Sequence, residues 1–377
     1  MAKILIVCGG TGGHLTPGIA IADTLQNRGH LCTLVVSRKK VDSRLIRNYP
    51  DMNFVNAPGA PFSWNPIRLI QFLWAQCHSF IFALKLLTRI RPDLTLGFGG
   101  FLSAGIALPG CLKGIPFVLH EANRVVGRSN RILSRFADQV FLPVGIDLPR
   151  LKPGRVFHVG LPLRKEFFPI KKEEARARLN LESTRRLLVV FGGSQGASSL
   201  NNWAFENCPH LAEQEISVYC LTGLNNEFPK EVMHESSSHG PVHSRFVPFS
   251  DLMPAVLSAA DVVISRAGAG SIAEIIRCGT PAILVPYPFA RDDHQTANAK
   301  YLLSHEAAVL IEDSQLEKLF GMVADLFSSS HRLKHLGNNL KSLDHPEEAS
   351  MLADKLEELF SAKFRDQPPA RLQSKQV

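Results

Sequence analysis

The stretch KILIVCGGTGGHLTPG, residues 3–18, runs from an apolar segment into a loop with four glycines among five residues. Its first part, Ile4 to Val7, predicts a buried β-strand, and Pro17 to Gln26 predicts the helix that follows. Glycine lets the backbone approach a phosphate, and the N-terminus of a helix supplies free N–H donors for it. The stretch therefore predicts the first strand–loop–helix unit of a nucleotide-binding sheet. His14, at the end of the glycine run, is not explained by such a loop alone.

Two series of apolar segments alternate with helical stretches along the rest of the chain. The first series has LCTLVVS, DLTLGFG and IPFVLHE, at residues 31–37, 93–99 and 115–121. The second begins at residue 185 with RRLLVVFGGSQG and continues with ISVYCLTG, DVVISRAGAG and TPAILVPYP. This alternation is typical of parallel sheets with crossover helices. We therefore expect an α/β protein of two Rossmann-like, doubly wound domains, residues 1–160 and 161–345, that face each other across a cleft.

The charge of the chain is unevenly distributed. Residues 1–160 carry 19 Lys and Arg against 7 Asp and Glu, whereas residues 161–377 carry 23 against 27. A basic half-chain attracts anionic partners such as phosphates, nucleic acid or an acidic membrane surface. The seven cysteines form no CxxC pair, which indicates reduced thiols in a cytosolic compartment and no structural zinc.

The segment WNPIRLIQFLWAQCHSFIFALKLLTRIRP, residues 64–92, is nearly as apolar as a membrane span, but polar side chains interrupt every 20-residue window of it. One interpretation is a long helix buried against the sheet. The other is an exposed apolar patch, ringed by Arg68, Lys85, Arg89 and Arg91, that lies on an anionic membrane without crossing it. The charge of the N-terminal half favours the second interpretation.

Further loops after predicted strands carry residue types that bind phosphates and sugars. GFGGF and GGSQGA, which begin at Gly97 and Gly192, repeat the glycine-rich turn. In SRAGAGSIAE, Glu274 falls on the first turns of a helix, where a carboxylate can accept hydrogen bonds from both hydroxyls of a ribose. In DDHQTANA, Gln295 and Asn298 share a helical face that suits sugar hydroxyls. None of these loops is a GxGxxG followed by the expected acidic residue, or a Walker loop, which argues against dinucleotide-binding and NTPase sites.

The motifs GGTGGHLTP, GFGGF, HEAN, GGSQGA, SRAGAGSIAE and DDHQTANA, in this order and spacing, closely resemble the MurG family of N-acetylglucosamine transferases. The resemblance covers most of the chain. It implies an inverting enzyme of glycosyltransferase family 28 with the GT-B fold, which converts lipid I to lipid II in peptidoglycan synthesis and thereby serves cell shape and division. It further implies a last helix at about residues 346–360 that crosses back to the N-terminal domain. The polar, Pro- and Gln-rich composition of the end of the chain separately predicts a disordered tail over residues 361–377.

The resemblance also implies the partners of the protein. UDP-GlcNAc would bind mainly to the C-terminal domain, and lipid I would dock on the N-terminal domain. That domain would lie against the anionic cytoplasmic face of the inner membrane as a peripheral protein, where other wall-synthesis proteins are candidate partners. Neither a cofactor nor nucleic acid is implied.

Single residues receive donor-binding roles through the same resemblance. It places Glu274 on the ribose of UDP, Gln295 and Asn298 on the GlcNAc hydroxyls, and the backbone around Phe249 and Ser250 at the uracil. The diphosphate is assigned to Arg164, Ser194, Gln195 and Gly196.

The opposite wall of the cleft would be lined by residues of the N-terminal domain, namely Thr11, Gly12, Gly13, His14 and Asn123. Inversion at the anomeric carbon needs an acceptor hydroxyl that attacks from the face opposite UDP, and a base that takes its proton. An imidazole near its ordinary pKa suits that role, so His14 is the candidate base. The alternatives are that His14 hydrogen-bonds a phosphate or only fixes the loop.

The phosphate charge that develops during transfer does not require a metal. Loop N–H groups, a helix dipole and Arg164 can stabilise it. The acidic pair Asp292-Asp293 is interpreted as the N-terminal cap of a helix. His120-Glu121 is interpreted as a hydrogen-bonded strand terminus.

Other functions stay open at this stage. A UDP-sugar transferase acting on diacylglycerol and a non-hydrolysing UDP-GlcNAc 2-epimerase would use the same fold. A non-enzymatic nucleotide-sugar sensor would bind the donor without turnover. A nucleic-acid binder fits the charge but lacks aromatic stacking platforms and a recognisable module.

Overall fold

A computed structural model describes residues 1–9, 12–37, 40–58, 66–152, 154–193, 196–224, 227–236 and 240–365. Within these ranges the chain forms two largely parallel sheets with helices packed against them. This confirms the α/β class and the two doubly wound domains that the alternation of apolar segments predicts.

The described part of the N-terminal sheet has seven strands in the order β3-β2-β1-β4-β5-β6-β7, all of them parallel. The strands are β1 Lys3–Val7, β2 Leu31–Val36, β3 Asn53–Asn56, β4 Leu94–Gly97, β5 Phe117–His120, β6 Gln139–Leu142 and β7 Val156–His158. The helices are α1 Gly12–Asn27, α2 Lys40–Ile46, α3 Pro66–Ile90, α4 Gly100–Leu112 and α5 Arg128–Leu133. The strand order reverses between β1 and β4.

The described part of the C-terminal sheet also has seven strands, in the order β10-β11-β9-β8-β12-β13-β14, and β10 is antiparallel to β11. The strands are β8 Arg186–Phe191, β9 Ile216–Leu221, β10 Glu231–His234, β11 Val242–Val247, β12 Val262–Ser265, β13 Ala282–Leu284 and β14 Val309–Leu310. The α-helices are α6 Lys172–Arg178, α7 Ser198–Glu213, α8 Met253–Ala259, α9 Ala269–Cys278, α10 His294–Ser304, α11 Leu319–Ser328, α12 Ser330–Ser342 and α13 Glu348–Arg365. Two 3-10 helices span Arg291–Asp293 and Asp313–Lys318.

The last helix, α13, packs on the N-terminal domain although it follows the C-terminal sheet in sequence. Its residues Leu352, Leu356 and Phe360 are buried in the same core as β1 and α1. Arg28, just after α1, pairs with Asp354 at 2.6 Å. Because α13 continues to Arg365, residues 361–365 are helical rather than part of the expected tail. Residues 366–377 lie outside the described residues.

Helix α1 begins five residues earlier than the sequence suggested. We expected a loop up to Pro17, because proline is common at the start of a helix. Instead Gly12, Gly13 and His14 are already helical, and Pro17 lies inside α1. The first N–H groups of a helix lack intrahelical acceptors in any case. Pro17, further along, has no N–H to donate, and burial of Leu15 and Ile19 against β1 offsets the loss of that hydrogen bond. His14 therefore lies on the first helical turn.

Part of helix α3 is buried against the sheet and part is exposed, so each interpretation of its apolar segment holds for some of its residues. Ala83, Leu86 and Leu87 are buried against the sheet, whereas Trp74 and Ile81 are 67% and 52% exposed. The side chains of residues 66–73, Arg68 included, lie outside the described residues, as do Trp64 and its neighbours. Among the helices in the described ranges, none is long and apolar enough to cross a membrane.

Candidate active site

Four glycine-containing loops leave the strands at which the order of each sheet reverses. In the N-terminal sheet they follow β1 and β4, and in the C-terminal sheet they follow β8 and β12. Doubly wound sheets bind ligands at this switch point. Helix α1, which begins after β1, contacts α9, which begins after β12. The two switch points therefore face each other across the cleft between the domains.

His14 lies on the N-terminal wall of this cleft. Its side chain is half-buried, and a Cβ atom added to Gly100 would lie 3.5 Å from its Cε1 atom. Behind it, His120 is buried, and its Nε2 atom lies 2.9 Å from the carbonyl oxygen of Gly160. Burial lowers the pKa of His120, and the proximity of His14 lowers it further. His120 is therefore neutral at pH 7 and ends β5 in a hydrogen bond, as interpreted from the sequence.

Two helix N-termini meet on the C-terminal wall. Helix α7 begins at Ser198, after the glycine loop. At the first turn of α9 no described side chain caps the helix, so that turn offers backbone N–H groups to an anion. Gly196, before α7, has φ +75° and donates its N–H to the carbonyl of Gly193 at 3.0 Å. A Cβ atom on Gly193 would lie 3.8 Å from Oγ of Ser271 in α9. This geometry suits the diphosphate expected here. Thr11, Ser194 and Gln195 lie outside the described residues.

Glu274 and Arg164 lie close together at the back of the same wall. Glu274 is half-buried on α9; burial raises its pKa to about 7, against the opposing effect of Arg164. Arg164 donates to Oη of Tyr49 at 3.0 Å and lies 3.5 Å from Oε1 of Glu166. Tyr49 donates to Glu166 as well. Arg164 is thus hydrogen-bonded to Tyr49, which follows α2 in the N-terminal domain. Its positive charge also acts on Glu274, the carboxylate expected to bind ribose.

The two residues expected at the GlcNAc hydroxyls differ in their surroundings. Gln295 is half-buried, and its Oε1 atom accepts from the N–H of Tyr287 at 2.9 Å. Asn298 is only 3% exposed; its amide group donates to Oδ1 of Asn123 and to the carbonyl of Ala267, both at 3.1 Å. In this conformation Asn298 therefore links the domains, together with Asn123 of the opposite wall.

The expected uracil site is covered by the N-terminal domain. The guanidinium group of Arg44 lies 4.2 Å from the centre of the Phe249 ring. Asn48 donates to Asp251 at 2.9 Å, and Ser250 accepts the N–H of Leu252 at 3.1 Å. Phe249 and Ser250 are thus placed at the edge of the cleft, against the chain that follows α2.

The interpretation of Asp292-Asp293 as a helix cap is wrong for Asp292. Its carboxylate pairs with Arg128 at 2.7 Å and Arg131 at 3.2 Å across the cleft. Asp293 does occupy the N-cap position, but its carboxylate accepts from the hydroxyl of Thr296 rather than from a backbone N–H. Among the described residues, no three His, Cys, Asp or Glu side chains are grouped to hold a metal ion.

Four residues that make contacts across the cleft were not predicted from the sequence, namely Arg44, Tyr49, Arg128 and Arg131. Two of them stand in the run RVVGRSNR after HEAN, where three arginines within eight residues were the available signal. Nothing in the local sequence marks Arg44 or Tyr49, because their partners lie more than 100 positions away.

Comparisons with known proteins place this geometry in a family. Residues 4–142 match the glycosyltransferase family 28 N-terminal domain, and residues 187–352 match the glycosyltransferase family 28 C-terminal domain. The chain belongs to glycosyltransferase family 28. A family 28 relative from Opitutus terrae is 45% identical over 95% of this chain and 95% of its own. It is named UDP-N-acetylglucosamine–N-acetylmuramyl-(pentapeptide) pyrophosphoryl-undecaprenol N-acetylglucosamine transferase. A relative of the same name from Halothermothrix orenii is 32% identical over 94% of this chain and 98% of its own.

Solved structures agree with the fold of a family 28 enzyme. The crystal structure of Acinetobacter baumannii MurG has a TM-score of 0.66 at 24% identity and covers 95% of this chain and all of its own. A putative UDP-N-acetylglucosamine 2-epimerase from Listeria monocytogenes has a TM-score of 0.70 at 12% identity over 97% of this chain and 98% of its own. The fold is therefore GT-B, shared with enzymes of other activities, whereas sequence similarity shows that this family 28 member is a UDP-sugar glycosyltransferase.

Proposed function

We propose that this enzyme transfers GlcNAc from UDP-GlcNAc to the C4 hydroxyl of MurNAc in undecaprenyl-pyrophosphoryl-MurNAc-pentapeptide (lipid I), which gives lipid II and UDP with inversion. The observation that carries the proposal is the pair of opposed switch points, with His14 on one wall and Glu274 with two helix N-termini on the other. Relatives named for this activity share 45% and 32% of its residues over nearly the whole chain.

The C-terminal wall holds the donor in this proposal. The ionised carboxylate of Glu274 accepts hydrogen bonds from the ribose hydroxyls. The N–H groups that begin α7 and α9 bind the diphosphate, and Arg164 adds a positive charge nearby. These donors stabilise the negative charge that grows on the departing UDP, because they are already oriented before the reaction begins.

The N-terminal wall supplies the acceptor and the base. The C4 hydroxyl oxygen attacks the anomeric carbon, the bond from that carbon to UDP breaks, and the imidazole of His14 takes the hydroxyl proton. Attack comes from the wall opposite the donor, so the new bond forms on the face opposite the leaving group. Neutral His120 behind His14 adds no competing positive charge to this wall.

The rival activities are separated by one assay, UDP release from UDP-GlcNAc with and without a short-chain lipid I analogue. We expect release only when the analogue is present. Release without an acceptor would contradict the proposal and indicate an epimerase or a hydrolase. Binding of UDP-GlcNAc without release in either condition would indicate a sensor, and release with diacylglycerol in place of the analogue would indicate a lipid glycosyltransferase of another kind.

We also propose that the N-terminal domain lies on the anionic cytoplasmic face of the inner membrane. Supporting this, Trp74 and Ile81 of α3 and Leu108 and Leu112 of α4 are exposed on two helices that pack together. Such apolar surface, with exposed basic side chains on the same domain, suits attachment to an anionic bilayer. We name Trp74, Ile81, Leu108 and Leu112 the apolar surface.

A further inference from the structure

We propose that Arg128 and Arg131 bind the diphosphate of the lipid-linked acceptor, and that Asp292 pairs with them until that substrate arrives. The inference rests on the proposed function, because it assigns a place to the anionic part of the same acceptor. Neither arginine belongs to the family motifs or to the expected donor site.

Helix α5, which carries both arginines, connects the membrane-facing side of the domain to the cleft. Just beyond its C-terminus, Phe136 is 53% exposed, and its carbonyl oxygen lies 3.8 Å from Sγ of Cys111, next to Leu112 of the apolar surface. At its N-terminal end, Ser129 donates to the carbonyl of Gly100 at 3.1 Å. Gly100 in turn lies against His14. The short helix therefore runs from the apolar surface to the candidate base.

The acceptor has the same order of chemical groups. Its polyprenyl chain belongs in the membrane, its MurNAc hydroxyl must reach the base, and its diphosphate lies between the two. Arg128 begins α5 at its cleft end, and Arg131 lies one helical turn further towards the apolar surface. A guanidinium group presents paired N–H donors that match phosphate oxygens, and it stays charged at every physiological pH.

Asp292 shows that this position already attracts an anion. Its Oδ1 atom lies 3.0 Å from Nε and 2.7 Å from Nη2 of Arg128, and its Oδ2 atom lies 3.2 Å from Nη2 of Arg131. The two arginine side chains are 72% and 50% exposed. Asp292 itself is 17% exposed, but an ion pair whose guanidinium groups face water stabilises a protein only weakly. A diphosphate carries more negative charge than one carboxylate, so it can replace Asp292 at little cost.

The first test measures steady-state kinetics with a short-chain lipid I analogue in detergent, without a bilayer. We expect Arg128→Ala and Arg131→Ala each to raise KM for the analogue about tenfold, the effect of losing a charge-assisted hydrogen bond. KM for UDP-GlcNAc should stay unchanged. The matched control is Arg135→Ala, which removes an exposed arginine one helical turn further along and should change neither constant.

Three results would overturn the inference. A rise in KM for UDP-GlcNAc instead would assign the arginines to the donor diphosphate. An equal rise in acceptor KM with Arg135→Ala would mean general attraction of anions by this basic surface. If the wild type turns over and both arginine variants keep its KM for the acceptor analogue, this inference alone would be wrong. If the wild type does not turn over at all, the proposed function would be wrong.

The second test asks whether removing the charge of Asp292 raises or lowers KM for the acceptor. Asparagine tolerates the φ of +54° found at this position, so Asp292→Asn removes the charge and keeps the backbone. If Asp292 competes with the acceptor, this variant should lower acceptor KM by about threefold, the scale of an exposed ion pair. If the ion pair instead only holds the domains together, Asp292→Asn and Arg128→Ala should change acceptor KM in the same direction, and the inference would be wrong.

Discussion

At the scale of the single residue, the surroundings of one ionisable side chain, Glu274, govern the chemistry of the cleft. Glu274 has a pKa of about 7 because it is buried, although Arg164 opposes the shift. At neutral pH its carboxyl group is therefore divided between the protonated and the ionised forms. The ionised form offers two charged acceptor oxygens to the ribose hydroxyls, whereas protonation turns one of them into a donor and weakens the other as an acceptor. Binding of UDP should thus displace a proton from Glu274.

This linkage predicts how Glu274→Gln behaves. UDP affinity of the wild type should fall as the pH is lowered from 8 to 6, and the variant should bind more weakly at pH 8 with less dependence on pH. UDP itself titrates in this range, but it does so equally for both proteins, so the difference between them isolates Glu274. Calorimetric titration at three pH values measures the effect, and parallel pH profiles would contradict the assignment.

The same variant should be more stable than the wild type. The pKa of Glu274 is raised above its ordinary 4.5, so ionisation costs the folded state nothing below that pH, and the cost is fully present above about pH 7. Glu274→Gln should therefore raise the free energy of unfolding at pH 8, by about 2 kcal/mol, and change it little at pH 4.5. Denaturant titrations at the two pH values check this.

The sequence allowed the carboxylate to be predicted but not its partner. Glu274 follows a strand and a glycine loop, and both signals are local. Arg164, whose charge acts on Glu274, comes from another part of the chain and is hydrogen-bonded to Tyr49. The raised pKa arises from burial in the folded protein, against the effect of Arg164, so no sequence pattern could predict it.

At the scale of the element, the strands were predictable and the helix boundaries less so. Apolar runs such as Arg186–Phe191 are long and end in glycine, and each became a strand close to its expected bounds. Helix α1 was misplaced because Pro17 reads locally as a helix start, whereas packing of Leu15 and Ile19 decides where the helix begins. Tertiary packing overrides local propensity in this case.

Gly160, at the junction between the two domains, makes a hydrogen bond that stabilises the junction. The N–H of Gly160 donates to Oε2 of Glu348 at 2.6 Å, where the linker meets the start of α13. A Cβ atom on Gly160 would lie 2.3 Å from Oε1 of Glu348, closer than any real contact. Burial raises the pKa of Glu348, and the Gly160 hydrogen bond opposes that shift.

We therefore expect Gly160→Ala to destabilise the protein by about 2 kcal/mol, since it breaks a hydrogen bond to a buried carboxylate. Gly321→Ala is the matched control, because Gly321 lies inside α11 with open space around its Cα. That change should be neutral or stabilising, as alanine favours a helix. Equal denaturation midpoints for the two variants would show that Gly160 tolerates a side chain.

At the scale of the whole molecule, contacts on both sides of the cleft join the domains. Asn48 bonds to Asp251 on one side, and Arg128 pairs with Asp292 on the other. These partners are 203 and 164 positions apart in sequence. Composition and motifs predicted two domains and a cleft, but the contacts between the domains depend on how the domains pack.

The apolar surface predicts membrane binding that a single substitution weakens. Leu112 is 71% exposed on α4, and Leu112→Asp places a charge where the bilayer would be. In a sedimentation assay, we expect the variant to bind phosphatidylglycerol-rich vesicles about tenfold more weakly. This factor corresponds to the free energy of burying one leucine side chain. Phe289→Asp is the control, since Phe289 is 82% exposed on the C-terminal domain. Equal loss in both variants would argue against a membrane-facing N-terminal domain.

A base on the N-terminal wall that acts on a donor held by the C-terminal wall is the core of this mechanism. It is tested most directly by measuring formation of the GlcNAc–MurNAc lipid product by the wild type and by His14→Ala, with UDP affinity measured alongside. We expect product from the wild type, a loss of at least about 100-fold in kcat for the variant, and unchanged UDP affinity. A His14→Ala enzyme that keeps wild-type kcat, or one that loses UDP binding together with turnover, would contradict this mechanism.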